Sequence, residues 1–131
     1  MKENKKTTTI ENKFLKEMIF NCLVGICRLN RFFQCNVFVD ATRIMLVNMV
    51  RQCVLAMDKK MFRTTDISKS RAKRVFYVKD NYCRLADDKF PKYTCSYQWW
   101  IDLDDVLGEE NAQQLFQARV NAKYAFMPEV Y

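Results

Sequence analysis

The chain has 131 residues, half of them apolar and 14% aromatic, with a net charge of +7. That is ample material for the core of one compact domain, and it excludes a wholly disordered chain. Histidine is missing altogether, which excludes His-based nucleophilic, acid–base and metal sites.

Glycine and proline occur only twice each. An all-β sandwich needs many turns rich in them, so few, long elements with substantial helix are expected. Residues 1–9 are polar and Lys/Thr-rich and read as an arm, with a single compact domain expected over 10–125. Thr8-x-x-Glu11 fits a capping box. The helix it predicts carries Phe14, Met18, Cys22, Leu23, Ile26, Leu29 and Phe33 at three- and four-residue spacing, which puts them on one broad face.

Asp40 is the expected N-cap of a second helix over about 41–60. Ile44, Met45, Leu46, Val47, Met49, Val50, Val54, Leu55 and Met57 run almost all round it. A helix apolar on most sides is either central to its own fold or covered by a partner chain.

Thr64-Thr65-Asp66 opens a short third helix, about 66–73. Then the period changes. Val75-Phe76-Tyr77-Val78, Lys79-Asp80-Asn81 and Tyr82-Cys83-Arg84-Leu85 read as a β-hairpin. A competing reading continues the helix through Tyr82, because Val75, Val78, Tyr82 and Leu85 also fall at helical spacing. Tyr93, Cys95, Tyr97, Trp99 and Ile101 alternate with polar residues and Trp100, the clearest strand signal in the chain.

A last helix, about 103–124, is interrupted near its start by Gly108. Phe126, Met127 and Tyr131 make the end of the chain, 126–131, an apolar tail expected to dock on this protein or another. The fold class is therefore α+β: about three helices, a three-stranded antiparallel sheet, then a C-terminal helix.

The start of the chain lacks the apolar stretch of an export signal, so a cytoplasmic setting, or a virus particle assembled there, is expected. The six cysteines then read as reduced, buried thiols. A Cys-only zinc site needs two close pairs, and Cys22 and Cys27 point to different helix faces. The apolar stretch Met18–Cys27 is about half of what a membrane span requires. Asp102, Asp104, Asp105, Glu109 and Glu110 suit a helix N-terminus, where acidic groups complement the dipole. No Gly-rich phosphate loop exists, so no cofactor and no small-molecule substrate are expected.

Residues 1–79 hold 17 Lys/Arg against 6 Asp/Glu, and residues 80–131 hold 5 against 9. Such asymmetry suits an acidic or nucleic-acid partner on one side. Arg63, Lys69, Arg71, Lys73 and Arg74 cluster around the short third helix, just before the hairpin. That order is the order of a winged helix-turn-helix, with Arg71 and Arg74 toward guanine edges and Lys69 and Lys73 on phosphates.

Val106-Leu107-Gly108-Glu109-Glu110, Gln114-Leu115-Phe116 and Tyr124-Ala125-Phe126-Met127-Pro128 resemble the segment that precedes the DNA-binding part of Mor-type phage activators. The resemblance covers only residues 106–128, lacks that family's glycine pair and is followed by no helix-turn-helix, so no function is carried over from it.

The expectation is a non-enzymatic binding protein, a small structural or assembly subunit of a larger complex such as a virus particle. Its partners are other protein subunits, a second copy included, engaged through Met45, Met49, Phe126, Met127 and Tyr131. The alternative is a DNA-binding regulator.

Overall fold

The computed structural model describes residues 9–30, 37–63, 71–79, 82–87 and 98–125. Helix α1 runs Thr9–Leu29 and α2 runs Val37–Ala56. The strands are β1 Arg74–Lys79, β2 Tyr82–Asp87 and β3 Trp99–Asp102. Helix α3, Leu103–Leu107, and α4, Glu109–Ala125, complete the described elements. The class is α+β, as the alternation of periods predicts, with an antiparallel sheet ordered β2-β1-β3.

The periodic face of α1 buries Ile19, Cys22, Leu23 and Ile26 against α2 and the sheet. Fully burying a side chain such as Leu23 contributes roughly 1.5–3 kcal/mol. The helices approach closely at Gly25, where a Cβ would meet Leu46 Cδ1 at 3.2 Å. Helix α1 stops at Leu29, with Arg28 in its last turn suiting the negative end of the dipole. Asn30 then anchors this end to the sheet, its Nδ2 donating to the Cys83 carbonyl at 2.8 Å.

Helix α2 begins earlier and ends earlier than its sequence signals imply. Asp40 lies within the first turn rather than capping it, and its carboxylate pairs with Arg43. At the other end, Asp58 adopts a left-handed φ of 61°. Its N–H donates to the Leu55 carbonyl at 2.9 Å, and the N–H of Lys59 donates to that of Val54 at 3.1 Å. This is a Schellman closure built on Asp instead of Gly, and it turns the chain out of the helix four residues short of position 60.

The hairpin reading holds: Val75 pairs with Ala86, Phe76 with Leu85 and Val78 with Cys83. The helical alternative loses because alternation lets β1 bury both faces. Phe76 and Val78 join Leu85, Ile101 and the helices. Val75 and Tyr77 join Trp100, with Phe62, Ala72 and Ala86 packed around them. Strand β3 contributes to both sides in the same manner, Ile101 inward and Trp100 outward. The short piece at Phe62 adds a bridge to β3, with N–H···O bonds of 2.9 and 3.0 Å between Phe62 and Trp100. Their rings stack at 4.4 Å, and Trp100 Nε1 donates to the Arg63 carbonyl at 3.1 Å.

Gly108 does interrupt the last helix. Its φ of 91° closes α3, its N–H donating to the Asp104 carbonyl, and its own carbonyl accepts from Ala112 to open α4. Of the expected third helix, residues 71–73 are not helical, because the chain is already extending into β1; residues 66–70 lie outside the described residues. So do the expected strand positions 93–97, the tail 126–131 and all of the arm except Thr9, which starts α1.

Candidate protein-interaction face

Helix α2 is apolar nearly all round, and the fold covers only part of it. Val50, Cys53 and Val54 are buried. The opposite arc is open: Phe38 is 81% exposed, Met45 57%, Leu55 56%, Ile44 45% and Met49 38%. Between them lie exposed Ala41, Thr42, Asn48, Gln52 and Ala56. The one full charge among these exposed positions is Arg51, at the edge of the arc. Water around such a patch is displaced favourably by any complementary apolar surface.

Two boundaries hold the arc in place. On one side Leu46 sits against Gly25 of α1. On the other, a groove of about 160 Å³ separates α2 from the sheet, lined by Arg43, Ile44, Asn48, Arg51, Val78 and Trp99, among others. The first turns of α2 are braced by Arg43, whose side chain is 11% exposed. It pairs with Asp40 and donates from Nη1 to Asn30 Oδ1 at 3.4 Å. Nearby, burial pushes the Cys83 thiol up to about 11, against a smaller opposing pull from Arg43. A thiol so held is protonated at neutral pH and serves as packing rather than as a nucleophile.

Met45 and Met49, expected on a partner surface, are both exposed on this face. Phe126, Met127 and Tyr131 lie outside the described residues. Phe38, Ile44 and Leu55 belong to the face and were missed. Placing the helix start after Asp40 left Phe38 out of the wheel, although it stands two turns before Met45 on the same stripe.

The basic cluster is only partly assembled. Arg63, Arg71 and Lys73 are exposed, and Lys69 lies outside the described residues. Arg74 is in β1, where its guanidinium holds Asp104 at 2.9 Å, so it does not stand out to solvent beside the other cations.

A second groove, about 360 Å³ between α1 and α4, is lined by Lys13, Lys16, Phe20, Asn21, Asn111 and Gln114, among others. Glu17 lines it as well, the groove is open to water, and none of its described lining residues is a serine, threonine or cysteine. Among the described residues no group of His, Cys, Asp or Glu is arranged to hold a metal ion, and no helix is long and apolar enough to cross a membrane. Comparison with protein-family models, curated proteins and solved structures finds no match for the chain.

Proposed function

We propose that the chain is a non-enzymatic interaction subunit that joins a larger complex through the exposed face of α2. The observation that carries this is the row Phe38, Ile44, Met45, Met49 and Leu55, apolar and open to water along one helix. An exposed apolar stripe of this kind is what helix-in-groove and helix-on-helix recognition uses, with anchors at i, i+3, i+4 and i+7. A second reading, nucleic-acid binding, draws its support from exposed Arg63, Arg71 and Lys73 and the charge asymmetry of the chain.

One experiment separates the two. A photoreactive side chain is placed at position 45, at position 71, or at the exposed position 110 as a control, in the cell that naturally makes the protein. The interaction reading expects protein adducts from position 45, whether to another protein or to a further copy, and few from 110. Adducts to nucleic acid from 71, with none to protein from 45, would reverse the choice.

A further inference from the structure

We propose that the occupant of this face is a second copy of the chain, its α2 packed antiparallel on the first across a twofold axis, with Asp40 of each copy opposite Arg51 of the other. The inference rests on the reading of α2 as an interaction face and supplies its partner.

The case begins with helical geometry. Asp40 and Arg51 are three turns apart, about 16 Å along the axis and within about 20° around it. They therefore share one edge of the exposed arc. In an antiparallel twofold pair, like edges of the two helices meet with their order reversed. An acidic group near one end and a basic group near the other end of a single edge then meet as two identical ion pairs. In a parallel pair this edge lies against the opposite edge of the partner, where Thr42 and Met49 stand, and neither charge gains a counterpart.

Accessibility agrees. The Asp40 side chain is 48% exposed although it also meets Arg43, and a carboxylate has lone pairs for further donors. Arg51 is exposed and forms no ion pair with a described residue. Placing Asp40 at the level of Arg51 overlaps the helices over about 25 Å. Ile44, Met45 and Asn48 then face one another in the middle, without a charge among them. For a chain of net charge +7, two copies approach most easily where like charges do not meet. Opposed helix directions also set each dipole's positive end beside the other's negative end.

The test is light scattering with size-exclusion chromatography over a concentration series, on the full chain. The wild type is expected at twice the 15.7 kDa of one chain. Arg51→Asp and Asp40→Arg, each alone, set like charges opposite one another and should weaken self-association at least tenfold. Mixing the two variants should restore dimers, because in the mixed pair every acidic position meets a basic one.

Arg51→Lys keeps the charge and guards against a variant that fails to fold. With a carbodiimide it should give an amide between position 40 of one isotope-labelled copy and position 51 of an unlabelled one. Three results overturn the proposal: a monomer at every concentration, association indifferent to both reversals, or dimers that give no 40-to-51 link between copies. A monomer whose position 45 still cross-links to another protein would remove the second copy and leave the interaction face standing.

Discussion

Arg74, at the head of β1, donates from Nη1 to both carboxylate oxygens of Asp104 in α3, at 2.9 and 3.0 Å. The two side chains are 19% and 24% exposed, so water screens the pair only in part. The contact ties the central strand to the short helix that follows the sheet.

Breaking one half of that pair should cost more than its net worth, since the other charge stays partly desolvated. Arg74→Ala is expected to lower stability by about 1–2 kcal/mol, read from the midpoint of urea unfolding. Asp104→Asn should cost a similar amount. The double variant should cost clearly less than the sum, because the second change removes the orphaned partner. Strict additivity would show that the two side chains act independently.

Asp102 caps α3, its carboxylate accepting from the Asp104 N–H at 3.1 Å and more loosely from Asp105. Burial raises its pKa above the ordinary 3.8, and the two cap bonds oppose that rise. A carboxyl that holds its proton more tightly when folded favours folding below the unfolded value, and that contribution is lost as pH climbs through the folded one. Wild-type stability should therefore carry a component that falls as pH rises from about 3.8 upward. Asp102→Asn keeps an acceptor for the cap and should abolish that component. Asp102→Ala should lose about 1 kcal/mol of capping even at neutral pH. A pH profile that does not change on Asp102→Asn would contradict the assignment.

Cys22, Cys53 and Cys83 are buried, and burial raises the pKa of all three thiols. They should resist an aromatic disulfide reagent in the folded protein at pH 8 and react once it is denatured. In denaturant without reductant all six cysteines should titrate; a smaller count would reveal disulfides and undo the expectation of reduced thiols. The Cys83 thiol also gives stability a further decline as pH passes from 9.0 toward about 11, since the proton is held more tightly in the folded state.

How much of this was legible depends on the range of the forces involved. The 3.6-residue period of α1 and the β-branched and aromatic run of β1 are written in neighbouring residues. Short-range sterics suffice to read them, through burial of one face in the helix and the preference of such side chains for extended backbone in the strand. The same is true of Gly108, whose left-handed φ suits a residue without a Cβ. These local signals determined the first helix, the hairpin and the break in the last helix.

Three matters needed the tertiary structure. Strand order β2-β1-β3 and the bridge from Phe62 to Trp100 join residues far apart in the chain, and no local pattern encodes a long-range pairing. Arg74 reads as one more cation of a basic cluster until the fold brings Asp104 to it. In α2, where apolar residues run nearly all round, periodicity cannot say which side is buried. Only the packing of α1 at Gly25 and the place of the sheet decide that Val50 and Val54 turn inward while Phe38, Met45 and Leu55 face water. A helix without a polar face takes its orientation from its neighbours, and those come from distant sequence.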